Sequence, residues 1–261
     1  MKKCLALILS AAMVLSLAAC GGGGGKDPKV IYDEASKKTS ELKDLDISTV
    51  VDMTMSQGEE KVDMSTSMDI KMVNANAEDM KYYAEGKTSA MGQDMAMTMY
   101  YEGGYYYMDM AGQKIKYAMD INAMMEQVKQ STEGGTMDSA YMKDIKAKKD
   151  GDNQVLTFTM DATKLDEYVK DVMSSMSGMT AGMEDVTYTI KEASGEAVVN
   201  KDGYFTKADI KMVMEMSVQG ETISVDMTTS ASYNNLGQAV EIPAVDLEGY
   251  QEVDPAAMGV Q

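Results

Sequence analysis

Histidine and tryptophan are absent from the 261 residues, and all 24 basic side chains are lysine. Without histidine the chain lacks the commonest general base near neutral pH and the commonest ligand of zinc and copper. Cysteine is confined to Cys4 and Cys20. Both fall in or beside the N-terminal apolar run, so no internal disulfide can staple the rest, and stability has to come from burial. Positive charge is also short: 42 Asp and Glu give a formal net charge of −18. Such a field repels nucleic acid and anionic headgroups, so neither DNA binding nor adsorption through a basic patch is expected.

The first stretch is Lys2 and Lys3 followed by the apolar run CLALILSAAMVLSLAA, too short and wrongly flanked for a stable membrane span. It ends in Leu17-Ala18-Ala19-Cys20, which resembles the bacterial lipobox: an aliphatic residue, two small residues, and the cysteine that becomes lipidated and, after cleavage, residue one. Residues 1–19 therefore read as a signal peptide. Loss of Lys2 and Lys3 with it would take the formal charge from −18 to −20. Residues 20–27 read as the lipidated Cys20 and a tether, because the run Gly21 to Gly25 has no side chains to bury and maximal backbone freedom. This places the protein on the extracytoplasmic face of the cell membrane, held by its own lipid.

Beyond the tether, Asp27 to Leu45 has a helical pattern, with Asp27 as cap, Pro28 in the first turn, and Ile31, Ala35, Leu42 and Leu45 near one stripe. From Asp46 the period changes to two. Alternating runs continue through Met55, Val62 to Met72, Glu78 to Met91, Asp94 to Tyr101 and Tyr105 to Met119, broken by glycine-containing turns. Further strands are expected at Ala140 to Lys149, Gln154 to Met160, Asp185 to Lys191, Ala197 to Val199, Tyr204 to Val218 and Thr222 to Tyr233. Helical spacing marks Asp120 to Ser131 and the segment DATKLDEYVKDVMSSM, where Thr163 and Asp166 resemble a capping box. Residues 246–261 read as an extended tail. Asp150 to Asn153 fits a turn better than a calcium loop, and the tyrosines of YYEGGYYYM are expected on an exposed strand surface beside a turn. One internal echo stands out: QGEEKVDMSTS (Gln57 to Ser67) and QGETISVDMTTS (Gln219 to Ser230). It fits either shared turn chemistry or an old duplication, with the matches past the turn favouring duplication.

What the chain does have is methionine, 29 of them. Met53/55, Met64/68/72, Met95/97/99, Met108/110 and Met212/214/216 each keep one parity of a strand, and that parity is one sheet face. Three uses fit: an ordinary core, a cavity for lipid or another apolar ligand, or a copper(I) site built from soft thioethers. The M-x-M spacing puts side chains about 7 Å apart along one strand, so several sulfurs reach one ion only through a bend or a second strand. With no histidine or free cysteine, the face reads as greasy rather than metallic.

A lipobox, a tether, an N-terminal helix, a long antiparallel meander, inserted helices and closing long strands together resemble the LolA/LppX-type lipoproteins and uncharacterised Gram-positive lipoproteins of that kind. The resemblance implies an incomplete β-barrel wrapped around helices with a cavity for acyl chains. The expected fold is α+β: a curved antiparallel sheet of about ten strands over residues 28–245 with helices on its concave face. The expected ligand cavity is lined by Met53, Met55, Met64, Met68, Met95, Met97, Met99, Met212, Met214 and Met216. A non-catalytic role without cofactor or resident metal is expected, its partners being the membrane through the anchor and an apolar ligand. The alternatives are a surface or assembly lipoprotein with a closed core and a methionine-based copper binder. Replacing Cys20 by Ser should release the protein from the membrane fraction or leave it misprocessed; unchanged membrane retention on fractionation would refute the lipobox assignment.

Overall fold

The computed structural model describes residues 26–75, 77–120, 139–166, 187–218 and 221–254. The signal segment, Cys20 and its neighbours, the expected helix after Asp120 and most of that after Asp161 lie outside the described residues.

Helix α1 spans Pro28–Ser40. The Asp27 carboxylate accepts from the Lys29 N–H at 2.9 Å, Pro28 opens the first turn, and Lys37 and Lys38 sit in the last turn, where cations suit the helix dipole. The helix is shorter than its sequence pattern. It stops at Ser40, and Leu45 instead begins a strand opposite Met72. Between them Asp44 accepts backbone N–H bonds from Asn74 and Val240, holding the chain in a connecting loop. The buried stripe is Ile31, Tyr32, Ala35 and Thr39. Thr39 accepts from the buried Phe205 N–H at 3.1 Å and fixes the helix to a strand over 160 residues away.

Twelve strands form one sheet: β1 (Leu45–Gln57), β2 (Glu60–Val73), β3 (Lys81–Ala90), β4 (Gln93–Glu102), β5 (Tyr105–Met110), β6 (Gln113–Ala118), β7 (Met142–Asp150), β8 (Asn153–Met160), β9 (Thr187–Val199), β10 (Phe205–Val218), β11 (Glu221–Asn234) and β12 (Gln251–Glu252). Their order is β12-β6-β5-β4-β3-β2-β1-β11-β10-β9-β8-β7, which leaves the sheet open with β12 and β7 at its edges. Every pairing is antiparallel except that of β12 with β6. The architecture is the open, mostly antiparallel sheet expected, with more strands than the ten anticipated.

Two places differ from the expected strands, one merging two of them and one adding a strand. The strands expected at 185–191 and 197–199 meet in one: residues 187–199 form β9, which runs through Gly195. Gly195 is no break: a Cβ there would sit 2.5 Å from the Phe158 ring, so the glycine makes room for that ring on the neighbouring strand. The register shift between Val213 and Met214 on β10 absorbs the offset. The added strand is β12, in which Gln251 and Glu252 of the tail pair with Ile115 and Lys116 of β6.

Tight turns explain the meander. Met91-Gly92 and Gly103-Gly104 have φ of 51°, 76°, 61° and 84°, the double positive φ of a type I′ hairpin turn. At the far edge, β7 is bent at Asp144 (φ 52°) by a register shift between Lys143 and Lys146. Lys143, Lys146, Lys148 and Lys149 along it are all exposed.

Two buried clusters hold the sheet. In the first, Ile31, Tyr32 and Ala35 of α1 pack against Leu156, Phe158, Ala197, Phe205 and Met212, with Tyr32 edge-on to Phe158 at 5.7 Å. Leu165, in the short helical stretch 162–166, is fully buried there. That stretch is capped by Asp161, whose carboxylate accepts from the Thr163 N–H at 3.1 Å. Asp166, assigned to a capping box from sequence, instead accepts from the Ile190 N–H at 3.0 Å. The second cluster joins Met72, Met80, Tyr101, Tyr106, Tyr117 and Met119 at the other end of the same sheet face.

Gly86 marks the closest approach within the sheet. A Cβ there would press on the Ser67 carbonyl oxygen and stand 3.2 Å from the Met68 Cα, both backbone atoms of β2. Gly86→Ala should lower stability by about 1–3 kcal/mol, the usual cost of forcing packed elements apart. An unchanged urea midpoint would show that β2 and β3 separate there without penalty.

Candidate functional site

The register turns the strand pattern into rows. Directly opposed residues share a face, so the pairing of Met53 with Met64 and Met227, and of Met227 with Met212, makes one row of methionines across β2, β1, β11 and β10. The next row is Val62, Met55, Val225, Met214 and Ile190. On the other side of the Met53 row, Thr88, Thr66, Val51, Thr229 and Ile210 cross five strands, and Met97, Gly86, Met68, Thr49 and Ala231 form the row beyond. Met99 pairs with Ala84 and Met108, and Tyr101 with Tyr82 and Tyr106. All ten methionines expected in the site lie on this one inner face. Along β1 to β5, β10 and β11, the paired inner positions hold no Asp or Lys, and their two carboxylates, Glu60 opposite Gln57 and Glu221 opposite Val218, sit at the hairpin ends of β2 and β11.

The face is not uniform. Met212, 7% exposed, belongs to the cluster under α1, and Met214 and Met227 pack against that cluster. Met99 and Met108 pack against the tyrosine cluster. Between the two clusters Met53, Met55, Met64, Met68 and Met97 are only half-buried, as is Met216 toward the end of β10. Met95 is 42% exposed. The band therefore consists of flexible thioether side chains without close packing on every side. Its polar atoms are hydroxyls with partners: Thr66 and Thr88 lie 3.0 Å apart, and Thr49 donates to the Met68 carbonyl at 3.4 Å.

Met227, absent from the expected set, completes the central row. The signal for it was the internal echo. Its two Val-Asp-Met segments land on β2 and β11, one on either side of β1. Met64 and Met227 thus flank Met53, Val62 and Val225 flank Met55, and Thr66 and Thr229 flank Val51. Two like segments need a common partner strand, and β1 is it.

The outer face is the wet one. Carboxylates there take short hydrogen bonds from neighbouring hydroxyls: Ser65 to Asp52 at 2.6 Å, Thr54 to Asp63 at 2.7 Å and Ser48 to Asp69 at 2.6 Å. The tyrosines of YYEGGYYYM divide between the faces instead of forming the exposed aromatic surface expected. Tyr101 and Tyr106 turn inward to the second cluster. Tyr100 and Tyr107 turn outward beside Tyr83, and Tyr107 meets Tyr250 of the returning tail edge-on at 5.3 Å. Burial, and the Glu85 carboxylate that its hydroxyl contacts at 2.8 Å, push the Tyr83 hydroxyl up to about 12.

Among the described residues, no group of three or more His, Cys, Asp or Glu is placed to hold a metal ion, and no helix is long and apolar enough to cross a membrane. Gly151 and Asp152 form the turn between β7 and β8.

Burial alone pushes the Tyr82 hydroxyl from about 10 up to about 12. Below pH 10 it is neutral folded and unfolded, so its contribution to stability is fully present. Between about pH 10 and 12 the unfolded chain ionises first, and stability falls as pH rises through that window. Tyr82→Phe should make the fall in urea midpoint over this range shallower; an identical pH profile would show that Tyr82 ionises freely in the folded protein.

A model of a family described as "Family of unknown function (DUF6612)" matches residues 27–245. No curated protein matches the chain in sequence. Among solved structures the chain is similar to the lipoprotein LppX of Mycobacterium tuberculosis, at 11% identity and a TM-score of 0.45 over 83% of this chain and 98% of that one. It is similar to LprF from Mycobacterium bovis, at 11% identity and a TM-score of 0.41 over 85% and 99% of the two chains. A LolA superfamily protein from Nitrosomonas europaea is similar at 10% identity and a TM-score of 0.23 over 84% and 96%. These are of the LppX and LolA types that the sequence resembles.

Proposed function

The chain belongs to this family of unknown function, DUF6612, and we propose that it is a membrane-anchored, extracytoplasmic lipoprotein that binds lipid or another hydrophobic ligand on its methionine-lined face. The observation that carries the proposal is the half-buried, uncharged band of Met53, Met55, Met64, Met68 and Met97 between two packed clusters. A core serves best when its side chains are locked; long unbranched thioethers suit an apolar surface that must fit occupants of varying shape. An acyl chain laid across the rows would replace water on this surface at about 25 cal/mol per Å2 of apolar area removed. The polar groups on the band are threonine hydroxyls held in hydrogen bonds, and the role proposed for it is binding. Cys20 supplies the anchor and residues 20–27 the leash, which hold the sheet near a membrane without inserting it.

The competing use of the same residues is a closed core in a surface or assembly lipoprotein. Met→Ala in a close-packed core costs about 2–5 kcal/mol per site, so three such changes would unfold a domain of about 5–15 kcal/mol total stability. The triple variant Met55→Ala, Met68→Ala, Met97→Ala should still fold, while Met212→Ala should show the full core cost. Native mass spectrometry of the full chain, released from non-ionic detergent, should find lipid on the wild type and less on the triple variant. A bare wild-type mass together with an unfolded triple variant would establish the closed core.

A further inference from the structure

We infer that the row Met64–Met53–Met227 is a binding site for a soft monovalent cation, Cu(I) or Ag(I), built from thioethers alone. A single strand cannot bring such sulfurs together, because its M-x-M side chains stand about 7 Å apart. The register removes that obstacle. Met53 is paired directly with Met64 on one side and Met227 on the other, and Met227 is paired directly with Met212. Opposed residues on neighbouring strands have Cβ atoms about 4.5–5.5 Å apart. Metal–sulfur bonds of about 2.3 Å in a trigonal arrangement keep the sulfurs about 4 Å from one another. Met53 meets that spacing with either neighbour directly, and Met64 and Met227, two strands or about 9.6 Å apart, meet it when both long side chains lean across toward Met53, which three soft torsions allow.

The surroundings suit such an ion. Thioethers are neutral and soft, so they select Cu(I) or Ag(I) over hard divalent ions, and the inner face near the row presents no carboxylate, imidazole or thiol to compete. The ion keeps its full charge because its ligands have none. Each of the three central methionines follows an aspartate in sequence: Asp52, Asp63 and Asp226 project from the opposite face of the same strands. Three carboxylates therefore stand behind the row, within roughly one Debye length, and make the local potential more negative, which favours a cation without binding it. The internal echo supplies two of these Asp-Met pairs and β1 the third.

The site is tested by titrating Ag(I), and Cu(I) under anaerobic conditions, into the full chain in non-ionic detergent against a chromogenic Cu(I) chelator. One ion should bind per chain. Affinity should be flat between about pH 5 and 8, because thioethers carry no proton to lose, unlike histidine or cysteine ligands. The variant Met53→Leu, Met64→Leu, Met227→Leu keeps volume and apolarity. It should lose more affinity than the roughly 10–100-fold that removing a supporting partner of a metal ligand costs. If that variant fails to fold, Met53→Leu alone removes the central ligand and gives the same readout. Wild type that takes up no ion, or a Leu variant that binds as well as wild type, would overturn the inference. Native mass spectra of the wild type taken without added metal report bound lipid independently of the ion titration, so failure of this site and failure of the apolar-ligand proposal are read separately.

Discussion

The pairing of β1 with β11 is the contact on which the rest of the architecture depends. It joins residues from the two ends of the described chain over eleven positions, from Asp46 opposite Asn234 to Ser56 opposite Ser224. Without it there would be two separate meanders, β1 to β6 and β7 to β11, each with a free hydrogen-bonding edge. With it, the alternation of β1 is imposed on both halves: each inner residue from Ile47 to Met55 has an inner neighbour on β2 and on β11, and the pattern passes outward strand by strand. A one-residue slip at this seam would set the methionines of one half against the aspartates of the other. Between Asp63, Thr54 and Asp226 on one face and Met64, Met53 and Met227 on the other, the register has a single acceptable solution.

Most of the sheet was legible because period two is a local signal. The parity of Met53, Met97 and Met214 fixed their face before any neighbour was known. What escaped was information held by pairs of strands. The gap between the strands expected at 185–191 and 197–199 holds Gly195, and nothing local indicates that Phe158 needs the space above it. Asp166 looked like a helix cap, and only the approach of β9 gives it the Ile190 N–H. The tyrosines of β4 and β5 looked exposed because their covers, Tyr82 and Tyr117 inside and Tyr250 outside, come from other parts of the chain. Met227 was missed for a related reason: one methionine on β11 has no M-x-M partner of its own, and its row exists only across strands.

Methionine and leucine fill similar volumes, so a choice repeated across five strands asks for a reason beyond packing. The sheet separates two kinds of methionine. Met72 and Met212 are buried and do what leucine would do. Met53, Met64, Met68 and Met97 are half-buried, where the differences count: no branch at Cγ, a polarisable sulfur and low torsional barriers. Both the apolar-ligand reading and the soft-cation site draw on those properties, one on deformability and the other on the sulfur lone pairs. Neither would survive a general exchange to leucine or valine that left the fold intact.

The two edges of the sheet are finished differently. At one, β12 adds a strand of two residues, and its Glu252 meets Lys116 of β6 at 3.4 Å. At the other, β7 carries Lys143, Lys146, Lys148 and Lys149 and is bent at Asp144. An open sheet with two straight, neutral edges would polymerise edge to edge wherever copies were crowded side by side. Here one edge is too short to template a new strand. The other combines like-charge repulsion with an interrupted ladder. Crowded copies of this protein would stay separate molecules, each with its own face available, and the open sheet would not grow into a fibre.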